Sequence, residues 1–360
     1  MADGGRHYFV YGNTAQGFIN KLSSNLRGVE NLFILRGRPG TGKACLMCNI
    51  AAECEKAGFQ TEYLHCPSAP DTFDGIIVPE LRLAVIDGTD LHYTKLITSD
   101  PAARYLDTDA AFDGSRLSEL EEQISKIITG IGECHENAFQ CFQDALRVHD
   151  QWEKIYIKSM DFQKADALAS ETTALVLGDC RFDKPPVMKE RFFGASTPSG
   201  AIDFIESLTK NISKRYLLKG RPGTGKSTLL KKVAAASSAR GLDTEVYSCA
   251  FDSNSLDMII WPELSKCLFD STAPHLYEPS RPDDEVIDIY AACVTPGTDE
   301  KYEQELADIA GRYKQAIQKG TKHLSDAKGY LEALLGIYSS LADAEAVRRL
   351  IGEFSGLLHR

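Results

Sequence analysis

Short apolar runs that stop at a glycine recur along this chain and set its plan of elements. Asn31-Leu32-Phe33-Ile34-Leu35 and Arg215-Tyr216-Leu217-Leu218 each predict a strand that ends where a glycine-rich segment begins. Residues 43–56 and 226–240, rich in Ala, Leu, Lys and Glu and closed by Gly58 and Gly241, predict the helices that follow. A second strand is expected at 61–65 and 244–248 and a third at 83–86 and 266–269, in β-α-β-β order with parallel strands. Two longer segments, 115–177 and 283–358, carry apolar residues at helical spacing. Leu117, Leu120, Ile124, Ile127, Ile128 and Ile131 follow the i, i+3, i+4, i+7 rule, so helical hairpins are predicted there, serving as a lid, a partner surface or core. Within them, residues 149–156 combine charge with Trp152 and Tyr156, which suits a docking edge or a buried aromatic anchor.

The two glycine segments are near copies. Gly37-Arg38-Pro39-Gly40-Thr41-Gly42-Lys43-Ala44 and Gly220-Arg221-Pro222-Gly223-Thr224-Gly225-Lys226-Ser227 both approach the phosphate-binding pattern G-x-x-x-x-G-K-[ST], and only the second completes it. Lys43 and Lys226 are 183 residues apart, and the same offset aligns their flanks without gaps. Phe9 meets Phe192, Thr61-Glu62 meets Thr244-Glu245, Pro79-Glu80-Leu81 meets Pro262-Glu263-Leu264, and Asp87 meets Asp270. From position 35 to 89 there are about 23 identities in 55 aligned positions, which marks an internal repeat. The expected fold is α/β: tandem duplicated P-loop NTPase domains, each a parallel sheet flanked by helices with a helical extension. Repeat 1 is assigned to 1–184 and repeat 2 to 185–360, with Asp183-Lys184-Pro185-Pro186 as the linker because consecutive prolines stop a helix.

The chemistry expected of such loops is specific. Backbone N–H groups converge on phosphate, the lysine neutralises the β and γ oxygens, and the following hydroxyl ligates Mg²⁺. That assigns Lys226 to phosphate, Ser227 to the metal and Thr228 to the α-phosphate, whereas Ala44 and Cys45 replace both hydroxyls in the first copy. The third strand ends in an acid in both repeats, Asp87 and Asp270, each 44 residues after the lysine, where a carboxylate holds the Mg²⁺ water shell. Hydrolytic relatives of this pattern often place Glu next, but Gly88 and Ser271 stand there. The general base is open among Glu80 and Glu263, and among His92 and His275, with His275 preferred because it leaves the strand beside the expected γ-phosphate. Arg38 and Arg221, inside the loops, either reach into the other repeat's site or face solvent or a nearby carboxylate.

Length and charge narrow the classes. The 360 residues suit two domains of about 100 to 200 residues each. A net charge of −11 argues against broad binding to nucleic acid or anionic membranes, although the lysines and arginines around the second loop suit a polyphosphate. No stretch has the 18 or more apolar residues of a membrane span, and the amino terminus lacks a signal-like apolar core, so a cytoplasmic protein is expected. Ten scattered cysteines, with only Cys45-x-x-Cys48 at ligand spacing, suit free thiols.

Long, specific matches carry a resemblance. His7-Tyr8-Phe9 with Gly12-Asn13-Thr14-Ala15-Gln16-Gly17-Phe18, Phe193-Gly194-Ala195-Ser196-Thr197-Pro198-Ser199-Gly200, the second loop through Thr228, and Asn254-Ser255-Leu256-Asp257-Met258-Ile259-Ile260 leading to Asp270-Ser271-Thr272-Ala273-Pro274-His275 together resemble a family of bacterial tandem P-loop ATPases. The resemblance covers nearly the whole chain. It implies a P-loop fold, ATP with Mg²⁺ and ATPase activity, while Ala44-Cys45 departs from the Ser-Thr such families keep. The expected function is an Mg-dependent ATPase active at the second repeat, the first being degenerate or regulatory. A nucleotide or small-molecule kinase and a nucleotide-gated scaffold without turnover are the alternatives. The expected partner is a nucleotide; a protein partner is one use of the helical segments, and the two repeats either pack as a pseudo-dimer or lie apart.

Overall fold

A computed structural model describes residues 5–89, 103–109 and 114–343, together with positions 345, 346, 349 and 352. His92 and most of 344–358 therefore lie outside the described residues. In the first half, β1 (Arg6–Tyr8) precedes a hairpin of β2 (Tyr11–Thr14) and β3 (Gly17–Asn20) and a short helix α1 (Leu22–Asn25). The succession continues with β4 (Asn31–Arg36), α2 (Lys43–Lys56), β5 (Glu62–Cys66), β6 (Ala69–Val78), β7 (Leu83–Asp87) and β8 (Arg104–Asp107). Helices α3 (Gly114–Glu119), α4 (Glu121–Ile157) and α5 (Phe162–Leu177) follow. The second half repeats the plan with β9 (Met188–Arg191), β10 (Gly194–Thr197), β11 (Gly200–Asp203), α6 (Ile205–Thr209), β12 (Lys214–Lys219), α7 (Lys226–Ser238), β13 (Thr244–Ser248), β14 (Leu256–Trp261), β15 (Lys266–Asp270) and β16 (Glu285–Asp288). It closes with α8 (Ile289–Cys293), α9 (Thr298–Lys301) and the long α10 (Glu303–Leu341).

Each half builds a six-stranded sheet of the same order, β8-β4-β7-β6-β5-β1 and β16-β12-β15-β14-β13-β9. Both sheets are mixed. The neighbours β6 and β14 run antiparallel to the strands on either side, and the other pairings are parallel. The sheets therefore differ from the all-parallel expectation by one inserted strand, which hairpins join to β5 and β7, or to β13 and β15. Alternation of side chains sorts each sheet into two faces. Phe33, Leu35, Ile76, Val85 and their neighbours pack under α2, while Ile34, Leu64, Ile77 and Ile86 turn the other way. That second face is shared: Leu217, Tyr247, Met258, Ile260 and Phe269 of the other sheet join the same apolar cluster.

Residues related by the 183-residue offset face one another where the halves meet. Phe9 and Phe192 exchange both backbone hydrogen bonds, at 2.9 and 2.8 Å. Ser24 Oγ accepts the Glu190 N–H at 2.9 Å, and its counterpart Ser207 Oγ accepts the His7 N–H at 3.1 Å. Arg191 is wholly buried between the matched acids, 2.9 Å from Glu62 and 3.0 Å from Glu245, with Arg6 reaching both from the rim. Burial alone would raise these two carboxyls, but the charges of Arg191 and Arg6 outweigh it and hold both below the ordinary range.

The helical extensions are not self-contained hairpins. Helix α4 pairs along its length with α10: Ile124 and Ile131 pack with Leu334 and Tyr338, and Ala138 and Phe142 with Leu324. The direction is antiparallel, since Gly130 abuts Tyr330 and Gly320 abuts Phe142. Helix α5 instead lays Ala169, Val176 and Leu177 on α7 of the second half, in the core formed with Leu229, Leu230 and Val233. Tyr156 is buried and Trp152 stands edge-on to Tyr313, so the 149–156 segment is an aromatic anchor. No helix among the described residues is long and apolar enough to cross a membrane, and all ten cysteines are free.

Candidate functional site

Sheet register sets the position of the candidate residues. Leu218 of β12 pairs with Asp270 of β15, and Leu35 of β4 with Asp87 of β7, so each strand-end acid lies at the edge from which the glycine loop departs. In the second loop Gly223 and Gly225 hold φ of 75° and 85°, a region that disfavours residues with a Cβ. A Cβ at Gly220 would lie 2.6 Å from Thr224 Oγ1 and 3.1 Å from the Lys226 side chain, so only glycine lets that chain fold over the loop. Thr224 Oγ1 donates to the Arg221 carbonyl at 2.8 Å and ties the turn together. Gly225 precedes α7 without any side-chain cap, which leaves the first N–H groups of a 13-residue helix pointing into the loop.

Lys226 Nζ donates to the Arg221 carbonyl at 2.9 Å and stands 3.6 Å from Asp270 Oδ2. Asp270 Oδ1 accepts hydrogen bonds from the N–H and Oγ1 of Thr272. The hydroxyl of Ser227 accepts the Leu256 N–H at 2.9 Å, and Thr228 is exposed on the first turn of α7. Loop, lysine, hydroxyl and acid are thus gathered at one sheet edge. The first loop has the same frame but a tighter lysine. Lys43 donates to the carbonyls of Gly37 and Arg38 at 2.9 and 2.8 Å, lies 3.8 Å from Asp87, and is lowered in pKa by burial.

The base candidates separate. Glu263 lies in the Pro262–Leu264 turn before β15, at the opposite edge of the sheet from Asp270. The length of β15, roughly 13 Å at about 3.3 Å per residue, keeps it from the loop. Its carboxylate accepts the Asp243 N–H at 2.9 Å and pairs with Lys184 at 2.9 Å, as Glu80 accepts the Gln60 N–H at 3.3 Å. The expectation that Glu263 is catalytic is therefore corrected: the duplicated Pro-Glu-Leu ties down a turn. His275 is buried, with Nδ1 2.7 Å from Asp203 Oδ2 and its ring edge-on to Phe193. Burial would raise Asp203, but its hydrogen bonds to His275 and Tyr277 outweigh it and hold the carboxyl low. The loop arginines do not cross between sites. Arg38 is held by Asp109 at 2.7 Å, and Arg221 by Asp299 at 3.1 Å beneath a hydrogen bond from Tyr156.

Two acids escaped the sequence reading. Asp257 of β14 is raised well above the usual carboxyl range by burial and then by the charge of Asp270, while His275 and Lys226 pull it down. Its counterpart in the first half is Asp74 on β6, also buried. The signal was present as an acid before Met-Ile-Ile or Gly-Ile-Ile in both repeats, at the start of apolar strand residues. The second missed residue is Glu153 of α4, which abuts Gly223 of the second loop. Comparison with protein-family models, curated proteins and solved structures found no match for this chain.

Proposed function

We propose that this protein is an Mg-dependent ATPase of the P-loop NTPase class that works at its second repeat, with the first repeat as a degenerate or regulatory partner. The observation that carries it is the convergence of Lys226, Ser227, Asp270 and uncapped helix N–H groups on one glycine-lined turn. Those donors fit a magnesium nucleotide, because the loop turns through glycines of positive φ and presents amides and ammonium to an anion. Bound Mg-ATP would supply the phosphoanhydride to be cleaved and the cation that neutralises its β and γ oxygens.

The chain's own groups divide the remaining work. Lys226 exchanges the Arg221 carbonyl for a phosphate oxygen, a local rotation of its side chain. Ser227 and Asp270 supply the oxygen ligands and water-shell acceptors expected of an Mg²⁺ site. Asp257, set beside Asp270 by the Met258–Phe269 pair of the β14–β15 ladder, is assigned as the acceptor for the proton of the attacking water. The Asp203–His275 pair neighbours it and holds its imidazole in one orientation. Phosphate release measured for the intact protein and for Asp257→Asn tests the assignment. Turnover that falls roughly tenfold or more in the variant agrees with it, and unchanged turnover removes Asp257 from the reaction.

A further inference from the structure

The C-terminal end of α4, a first-half helix, lies on the second loop. A Cβ at Gly223 would lie 2.6 Å from the Glu153 carbonyl oxygen, 2.7 Å from its Cα and 2.9 Å from its Cβ. His149, one helical turn earlier, is 3.7 Å from Glu153, and the Lys226 charge acts on both side chains. Burial, then Asp150 and Asp252, raise the Glu153 carboxyl above its ordinary range against the charge of Lys226. The first loop is covered differently. The far end of α10, a second-half helix, places Ser339 and Tyr338 beside Gly40, and a Cβ there would meet them at 3.2 and 3.4 Å. Helices α4 and α10 are packed against each other along their length, so each loop is covered by the end of one rigid pair.

We propose that Glu153 is an autoinhibitory carboxylate supplied across the repeats: it stands against Gly223 of the second loop, and a polyphosphate must displace it and the end of α4 to bind. This rests on the reading of the second loop as a nucleotide site. The amide at Gly223 is one of the convergent N–H groups that such loops direct at phosphate, and a carboxylate beside it obstructs and repels the incoming anion. Displacement carries the packed α4–α10 pair, whose other end lies at Gly40, so occupancy of the second loop is felt at the first.

The test is equilibrium titration of the full chain with Mg-ATP for the intact protein, Glu153→Ala, Glu153→Gln and Lys226→Ala, with circular dichroism as the check on folding. Glu153→Ala and Glu153→Gln are expected to bind roughly tenfold more tightly, the scale of one nearby like charge removed from the anion's site. Hydrogen exchange across 145–157 is expected to rise when Mg-ATP is added to the intact protein. Binding that Lys226→Ala abolishes, but that neither Glu153 variant tightens and that leaves exchange over 145–157 unchanged, overturns the gate while leaving the nucleotide site standing. No binding in any folded variant overturns the nucleotide reading and the gate with it.

Discussion

The two glycine loops share strands, register and backbone turns, yet their surroundings diverge within one residue of each lysine. At the second loop Ser227 follows Lys226, whose ammonium is tied to a single loop carbonyl and stands 3.6 Å from Asp270. At the first loop Ala44 follows, and Lys43 is buried under two carbonyls. The covers differ in kind as well: an acid and an imidazole over Gly223, a serine and a tyrosine over Gly40. A duplicated frame preserves where a loop sits because strand register and the core beneath it fix that position. It leaves the first shell of side chains free to change, since those residues support no part of the shared core.

The largest expected effect is on the joint that keeps the two loops in one body. Arg191→Ala should destabilise the protein by about 3–5 kcal/mol, because it leaves Glu62 and Glu245 buried beside Arg6 alone. Denaturant unfolding followed by circular dichroism measures this, and a loss under about 1 kcal/mol would show that the halves hold together without the buried charges. The same pair predicts acid sensitivity. Carboxyls held below their ordinary range stabilise the fold fully above about pH 4.3, and that stability disappears as pH falls through their lowered values. Arg191→Ala should therefore move the acid unfolding midpoint upward, in a pH titration of ellipticity.

Next in size is the contrast between the strand-end acids. Asp270→Asn should lower phosphate release by roughly 10²-fold, whereas Asp87→Asn should change it by less than about threefold. Equal losses in both would mean that the loops act alike. The base assignment sharpens the contrast further: if His275→Gln costs more turnover than Asp257→Asn, the proton acceptor is the imidazole held by Asp203. The smallest effect is expected from Ala44→Ser, which restores a hydroxyl to the first loop. It should strengthen Mg²⁺-dependent nucleotide binding there by about 1 kcal/mol or less, read as a rise in binding stoichiometry.

The loops, the strand-end acids and the duplication were legible in the chain because each depends on near neighbours in sequence or on one fixed offset. Strands β6 and β14 were not. Pro70, Asp71, Thr72 and Gly75 interrupt the apolar signal of β6, and the β5–β6 ladder shifts register at Leu64 and His65. Glu263 misled for a related reason. Its repetition in both halves looked chemical, but a turn that must satisfy one backbone N–H in each half preserves the same residue. Glu153 was beyond reach, as its meaning comes from a contact between residues 70 positions apart on different halves. Helical spacing foretold that Ile124 and Ile131 would pack on a helix, and it carried no information on which one.

Phosphate release and Mg²⁺-dependent ATP binding, measured side by side for the intact protein, Lys43→Ala and Lys226→Ala, test the asymmetry most directly. Lys226→Ala is expected to abolish turnover, while Lys43→Ala retains it and lowers at most the binding stoichiometry. Turnover that survives Lys226→Ala, or that Lys43→Ala abolishes just as completely, would contradict it.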